Sequence, residues 1–136
     1  MNAQEIEQKL LQGPYHQWLG LKVQSAGEGE ITLLAPFREE WVVNAAGGYI
    51  HGGILATLID LAADWALVAW TGKGVPTLNV HVDYHRPARG DLTVKAKVIK
   101  RGKLASSAEA WVYDAEGQLV ASGRGLYATP AQVGAA

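Results

Sequence analysis

A chain of 136 residues is long enough to bury one hydrophobic core, and it predicts a single domain covering residues 1–136. Its 12 Lys and Arg residues nearly balance 13 Asp and Glu residues, so it lacks the basic excess of nucleic-acid-binding proteins, and we expect no nucleic-acid partner. The absence of cysteine excludes disulfides, thiol catalysis and zinc sites built on thiolates.

The first third of the chain predicts a short helix followed by two strands. Ile6 and Leu10 lie on one side of an amphipathic segment, and Gly13-Pro14 is typical of a helix end. The chain opens without a basic segment followed by an apolar stretch, so we expect no secretory signal and a cytoplasmic location. The elements expected here are a helix at 3–12, strands at 19–24 and 30–35, and an irregular loop at 37–50.

The middle of the chain is dominated by residues 52–70, in which only Thr57, Asp60 and Asp64 are clearly polar. Such a run without proline predicts a helix that is buried on nearly every side. A membrane-spanning helix is the alternative, but each central aspartate would cost about 2.5–3.5 kcal/mol in a bilayer, and basic flanks are missing. We therefore expect the core helix of a soluble domain and no membrane partner.

The last part of the chain predicts strands, because short turns separate stretches of alternating apolar and polar residues. Short turns favour antiparallel neighbours. About six strands and one apolar helix thus indicate an α+β fold, in which an antiparallel sheet wraps around a long central helix. The strands expected after the helix lie at 77–85, 92–99, 104–113 and 118–127, and a frayed tail is expected at 129–136.

Asp60 is the main candidate for a catalytic group, since a carboxylate in an apolar helix needs a partner or a function. It is either a structural residue, tied to a neighbouring hydroxyl or facing a water-filled subunit seam, or a general base. The helix opens with His51-Gly52-Gly53, whose bare backbone N–H groups can stabilise an oxyanion. Gly53 and Asp60 are seven residues apart, about 10 Å along a helix. That distance is too long for one carbonyl, so two chains are expected to build each site.

Several short motifs follow one another in a fixed order between residues 15 and 127. They are His51-Gly52-Gly53 with Asp60, Asp83-Tyr84-His85-Arg86-Pro87, Gly90-Asp91, Gly102-Lys103, and Gly117-Gln118-Leu119-Val120-Ala121 with Gly123. Together they resemble the hotdog-fold acyl-CoA thioesterases of the phenylacetate-degradation type. The resemblance implies a hotdog fold, hydrolysis of an acyl-CoA to free acid and coenzyme A, and no cofactor beyond the coenzyme A of the substrate. It also implies a homodimer with paired sheets, assembling into a homotetramer, and active sites at the dimer interface.

The resemblance also implies roles for individual residues. Asp60 matches the catalytic carboxylate, which activates water or attacks the thioester carbonyl. The other matching positions are Gly52 or Gly53 as the backbone N–H donor, His51 and Asn44 as residues framing the thioester, and Thr77 as a hydroxyl near the carboxylate. Asn44 precedes His51 by seven residues, one more than the family spacing. Asp64 stands where relatives carry a small or hydroxyl residue, and we expect it to reach solvent or a hydroxyl rather than act as a second base.

Two further sets of polar side chains could bind a ligand, one basic and one potentially metal-ligating. Basic residues gather at strand ends, and the resemblance suggests that one or two of them contact the phosphates of coenzyme A. The candidates are Arg86, Arg89, Arg101 and Lys103. His81, Asp83 and His85 form an H-x-D-x-H pattern that could ligate a metal, but the polar face of a sheet is the favoured interpretation, so no metal site is predicted.

Two other functions compete with hydrolysis. One is a non-catalytic module that binds acyl-CoA, but binding alone needs no carboxylate within an apolar helix. The other is a hydratase or dehydratase on the same fold, whose differently spaced His and Asp pair is missing here. A serine hydrolase is not expected, because no G-x-S-x-G motif occurs.

Overall fold

Six strands and three α-helices make up residues 1–129, the part of the chain that this computed structural model describes. In chain order they are α1 (Ala3–Leu10), α2 (Pro14–Leu19), β1 (Lys22–Gly27), β2 (Glu30–Ala35), α3 (Gly52–Thr71), β3 (Thr77–Tyr84), β4 (Leu92–Lys100), β5 (Ala105–Tyr113) and β6 (Leu119–Ala128). A 3₁₀ turn, Glu39–Trp41, lies in the loop before α3.

The strands form one antiparallel sheet in the order β1-β2-β4-β5-β6-β3. The helix α3 contacts all six strands, so the sheet wraps around it. The predicted α+β architecture is therefore confirmed. β3 follows α3 in the chain, yet it lies at the far edge of the sheet, where β6 is its one partner strand within residues 1–129.

The central helix α3 is buried along most of its length because it is apolar on nearly every side. Its first turn is capped by His51, and Gly72 ends it in the left-handed conformation with φ of 76°. By length and hydropathy it could cross a membrane, but half of its most apolar stretch is buried inside the protein. The open face of α3, as we call its least covered side, consists of Gly53, Thr57, Asp60 and Asp64.

The N-terminal segment contains a second helix that the sequence did not predict. Gly13-Pro14 ends α1, but Pro14 also occupies the first position of α2, where its missing N–H is harmless. Gly20 ends α2 with φ of 68°. The strand expected from residue 19 is therefore wrong at its start, since Leu19 is helical and β1 begins at Lys22.

The edge strand β3 leaves apolar side chains uncovered. Leu78, Val80 and Tyr84 are 56%, 39% and 55% exposed. Val80 pairs with Gly125 and Tyr84 with Ala121, and both partners are buried. Residues directly opposite in a sheet share a face, so Val80 and Tyr84 point to the helix side of the sheet but beyond the reach of the core. Leu78 lies within the register shift between Thr77 and Asn79, where the alternation of sides is interrupted.

The predicted frayed tail at 129–136 lies outside the described residues except for Thr129. That residue is buried, and its hydroxyl donates to the carbonyl oxygen of Gly102 over 2.6 Å. Its backbone N–H donates to the carbonyl oxygen of Leu104. Thr129 is thus held by tertiary hydrogen bonds that leave no local sequence signal.

Candidate active site

The carboxylate of Asp60 is held by two hydroxyl groups. Thr77 Oγ1 donates to Asp60 Oδ1 over 2.8 Å, and Tyr127 Oη lies 3.2 Å from the same oxygen. Tyr127 Oη is also 2.8 Å from the backbone carbonyl oxygen of Asp60. Within residues 1–129, Asp60 Oδ2 has no hydrogen-bond partner, and the residue is half-buried rather than enclosed. One oxygen is fixed, therefore, and the other is available to a reactant.

A strand irregularity brings the two hydroxyls together. The register of β3 against β6 shifts between Thr77 and Asn79, which sets Thr77 opposite Tyr127. Such bulges redirect side chains at the edge of a sheet. The fully buried Tyr127 ring lies across Gly125, where a Cβ atom would overlap its hydroxyl. The structure thus brings the predicted Thr77 to Asp60 and adds Tyr127, which the sequence analysis missed.

The start of α3 differs from the predicted oxyanion site. The backbone N–H of Gly53 donates to Nδ1 of the His51 ring over 2.7 Å. A neutral imidazole that accepts at Nδ1 carries its proton on Nε2. The Gly53 donor is therefore occupied by His51 and becomes free only when the ring turns away.

Gly52 and His51 supply the other donors at this helix start. Within the described chain the backbone N–H of Gly52 has no hydrogen-bond partner. The carbonyl oxygen of Gly52 accepts from the Tyr84 hydroxyl over 2.8 Å, which fixes the first turn against β3. The available donors are thus the Gly52 N–H and the Nε2–H of His51, whose side chain is exposed.

Asn44 is turned toward its own loop. Its Oδ1 accepts from the Gly47 N–H over 2.6 Å, and its carbonyl oxygen accepts from the Gly48 N–H over 3.2 Å. No hydrogen bond between Asn44 and His51 or Asp60 occurs among residues 1–129. The predicted catalytic residues thus form two hydrogen-bonded pairs, His51 with Gly53 and Thr77 with Asp60. Within the described residues, neither Asn44 nor Gly52 is hydrogen-bonded to another of them.

The second carboxyl group of the open face, Asp64, lies one helical turn beyond Asp60. Its Oδ1 is enclosed and has no hydrogen-bond partner in the described structure. Burial, and secondly the charge of Asp60, raise the pKa of Asp64 from 3.8 to about 7. The expected hydroxyl partner of Asp64 is thus missing within residues 1–129, because the nearby hydroxyls of Thr77 and Tyr127 are directed at Asp60.

Aromatic residues of α2 flank the open face. The Tyr15 hydroxyl lies 3.1 Å from Thr57 Oγ1, and the Tyr15 ring stacks on Trp18 with centroids 6.2 Å apart. His16 packs edge-on against Trp65, with ring centroids 6.3 Å apart. These residues form an aromatic wall beside Asp60 and Asp64, which the sequence could not predict because α2 itself was missed.

The predicted phosphate-binding residues fall into two groups. Arg86 and Arg89 line a surface groove of about 520 Å³ that Tyr49 also lines. The Arg89 guanidinium lies 4.2 Å from the Tyr49 ring centroid, and Arg89 Nε donates to the Gly47 carbonyl oxygen over 3.2 Å. Arg101 instead lies 5.1 Å from the ring centroid of Trp70. Lys103 belongs to the same β4–β5 turn as Arg101.

The H-x-D-x-H residues lie on the exposed side of β3. His81 Nε2 is 3.2 Å from Asp83 Oδ1, whereas His85 Nε2 is 2.8 Å from Ser122 Oγ. The two histidines thus have different partners. Within residues 1–129 no three His, Asp or Glu side chains are grouped as metal ligands.

Comparison with known proteins identifies the family of this chain. The thioesterase superfamily model matches residues 47–121. Human acyl-coenzyme A thioesterase 13 is 36% identical over 105 residues, which are 74% of this chain and 73% of the human protein. An X-ray structure of a protein from the thioesterase superfamily has a TM-score of 0.89 and 44% identity, covering 93% of this chain and 96% of that one.

A solved mutant of the phenylacetic acid degradation protein from Thermus thermophilus is similar as well. It has a TM-score of 0.76 and 26% identity, covering 86% of this chain and 99% of that one. These findings confirm the resemblance to the hotdog-fold acyl-CoA thioesterases, and with it the expected fold and enzyme class. The chain belongs to the thioesterase superfamily and is a thioester hydrolase with a hotdog fold.

Proposed function

We propose that this protein is an acyl-CoA thioesterase that hydrolyses an acyl-CoA to a free acid and coenzyme A, with Asp60 as its catalytic carboxylate. The orientation of Asp60 carries the proposal, since two hydroxyls hold Oδ1 while Oδ2 has no partner in the described chain. The name of the human relative supports the acyl-CoA substrate class. We further propose a cytoplasmic enzyme that needs no cofactor beyond the coenzyme A of its substrate.

Asp60 acts as a general base in this mechanism. Its Oδ2 accepts a proton from a water molecule, whose oxygen attacks the thioester carbon. The carbonyl oxygen becomes an oxyanion and accepts hydrogen bonds from the start of α3. When the carbon–sulfur bond breaks, Asp60 returns the proton to the thiolate of coenzyme A, and the new carboxylic acid releases its own proton to solvent.

The oxyanion donors are the Gly52 N–H and the Nε2–H of His51. Gly53 contributes indirectly, because its N–H donates a hydrogen bond to Nδ1 and so orients the His51 ring. One preorganised donor of this kind is worth about 2.7–4 kcal/mol of the barrier. Asn44 has the more distant task of shaping the loop that precedes His51.

Direct attack by Asp60 on the thioester carbon is the second candidate mechanism. It would form an anhydride that water then hydrolyses by attack on the carboxyl carbon of Asp60. The two routes differ in a single turnover in ¹⁸O-labelled water, because direct attack transfers label into Asp60 and unlabelled oxygen into the acid. Label found only in the acid supports the general-base mechanism, whereas labelled Asp60 would establish the nucleophilic one.

A homodimer is part of the proposal. Gly53 and Asp60 of one helix are about 10 Å apart, so a helix start from one chain is expected to face Asp60 of the other. The edge strand β3 supports pairing between chains, because Leu78 and Val80 are uncovered beside an unpaired strand edge. We propose that dimers of this kind assemble further into a homotetramer, as in the family it resembles.

Coenzyme A is proposed to bind through its phosphates to Arg86 and Arg89, on the groove that Asp114 and Glu116 also line. Arginine pairs well with phosphate, and the Tyr49 ring and the Gly47 carbonyl already orient Arg89. Arg101 and Lys103 are the alternative contacts, at the β4–β5 turn. The aromatic wall at Tyr15 then faces the acyl group.

Substitution of Asp60 tests the proposed function. Asp60→Asn keeps an acceptor for Thr77 and Tyr127 but cannot take a proton, so we expect turnover to fall at least about a hundredfold. Asp83→Asn, the same change on the exposed side of β3, is the matched control and should leave turnover unchanged. Thiol release is measured over a panel of aromatic, medium-chain and long-chain acyl-CoAs, which also identifies the acyl group. Near-native turnover of Asp60→Asn would refute the assignment.

A further inference from the structure

Asp64 is a half-buried carboxyl group on the open face of α3 that the proposed mechanism does not use. Only one of its oxygens is both enclosed and unpaired: Oδ1 has no hydrogen-bond partner within residues 1–129. The residue as a whole is partly exposed, so Oδ2 is the oxygen that reaches outward. Ionisation of Asp64 would place part of the negative charge on this enclosed oxygen, which is unfavourable because no hydrogen-bond donor stabilises it.

The hydrogen bonds around the two carboxyl groups are divided unequally. Thr77 from β3 and Tyr127 from β6 both direct their hydroxyls to Asp60, and neither donates to Asp64. Donors favour the ionised form of the group that receives them. Asp60 is therefore the ionised member of the pair, and Asp64 is the member that retains its proton.

The remaining charged and titratable groups reinforce this division. Asp60 on the same helix and Tyr127 on β6 are the groups coupled to Asp64, and burial raises the pKa of Tyr127 above its ordinary value, which keeps the phenol neutral. β3 contributes the uncharged Thr77, and α2 contributes His16, whose ring packs on Trp65. Within the described residues no salt bridge reaches Asp60 or Asp64.

We propose that Asp64 works as a neutral acid, whose outward Oδ2–H donates a hydrogen bond to the water molecule that Asp60 activates. This inference rests on the proposed thioesterase function. In the neutral form the enclosed Oδ1 is a carbonyl oxygen, which tolerates the lack of a donor better than a carboxylate oxygen does. Asp64 keeps its proton throughout, while Asp60 takes the water proton and returns it to the sulfur.

The pair gives each carboxyl group a separate task on one helix face. Side chains four residues apart are neighbours, about 5–6 Å between Cβ atoms, so one water molecule can contact both. The ionised Asp60 accepts a hydrogen from that water, and Asp64 donates one to its oxygen. A lone pair of the water oxygen is then directed at the thioester carbon. If Asp64 also ionised, the site would lose this donor and hold two like charges.

Three substitutions of Asp64 separate its role as a hydrogen-bond donor from its ability to ionise. Asp64→Asn keeps a donor but cannot ionise, and we expect its kcat below pH 6 to stay within about threefold of the wild type. Asp64→Leu removes the donor and should lower kcat at least about tenfold with little change in KM. Asp64→Ser restores a hydroxyl donor and should recover part of that loss. Asp83→Asn is the matched surface control.

The pH dependence of kcat/KM distinguishes the proposed role of Asp64 from a purely structural role, which would not change it. Because Asp64 has its pKa raised to about 7, the wild-type kcat/KM should decline as pH rises through that value. Asp64→Asn should lose this alkaline decline. Turnover of Asp64→Leu equal to the wild type would overturn the proposal. So would an Asp64→Asn protein as inactive as Asp60→Asn, because Asp64 would then have to work in its ionised form.

Infrared difference spectroscopy tests the protonation state without an activity assay. At pH 6 we expect the carbonyl band of a neutral carboxyl group, absent from Asp64→Asn and present in Asp83→Asn. An ionised Asp64 at pH 6 would overturn the inference, whatever the enzyme hydrolyses. If the neutral band is present but the wild type releases no thiol from any acyl-CoA, the proposed function fails and this inference falls with it.

Discussion

The hydrogen bond between the Gly53 N–H and the His51 ring leads to a prediction about the substitution Gly53→Ala, which adds one methyl group. A Cβ atom at position 53 would lie 2.9 Å from His51 Nδ1 and 3.1 Å from its Cε1, so Gly53→Ala must displace the ring. The exposed ring can swing outward, and the helix would then lose a cap worth about 1 kcal/mol. Replacing glycine by alanine inside a helix regains about 0.8–1.0 kcal/mol.

The two contributions nearly cancel, so we expect the free energy of unfolding of Gly53→Ala to stay within about 1 kcal/mol of the wild type. Turnover should nevertheless fall at least about tenfold, because the displaced Nε2–H no longer faces the thioester oxygen. Thermal unfolding and thiol release measure the two effects. Gly27→Ala is the matched control, since no atom lies within 4 Å of its added Cβ. Wild-type turnover in a folded Gly53→Ala protein would refute this reasoning.

Three further predictions concern Tyr127, assembly and pH. Tyr127→Phe should lower the free energy of unfolding by about 1–3 kcal/mol, and chemical denaturation with Tyr113→Phe as control checks this. Inactive Asp60→Asn and Gly53→Ala protomers, mixed under conditions of subunit exchange, should regain thiol release through hybrid sites; exchange without recovery would contradict shared sites. Because the pKa of Asp64 is raised in the folded state, its stabilisation is full below pH 3.8 and is lost as pH rises through about 7. Asp64→Asn should thus gain thermal stability over the wild type between pH 4 and 7, and an unchanged difference in melting temperature would contradict the raised pKa.

The sequence predicts α3 and the strands of the second half well, because the signals there are local. An uninterrupted apolar run followed by Gly72 indicates a buried helix and its end, and alternation marks β3 to β6. The sequence also predicts that Asp60 has a hydrogen-bond partner, because a carboxylate among apolar neighbours is unfavourable without one. The predicted hydroxyl at Thr77 lies where the resemblance implied it.

What the sequence does not predict depends on pairings between distant segments. β3 lies next to β6 although two other strands separate them in the chain, and the register shift at Thr77 has no local signature. Tyr127 could have been suspected only from Gly125, whose missing side chain leaves room for the ring. The bond between His51 and Gly53 is a choice of side-chain rotamer, which composition and spacing do not encode.

The bond between Tyr127 and Asp60 has a consequence for how the protein folds, because it joins residues 67 positions apart. Contacts of such long sequence separation form slowly, since a large loop must close before they stabilise anything. The helix α3 is complete long before β6 is added to the sheet during synthesis, and until then its apolar sides lack their cover. Refolding should therefore restore helical circular dichroism before it restores catalysis. During that interval the uncovered apolar sides of α3 favour aggregation.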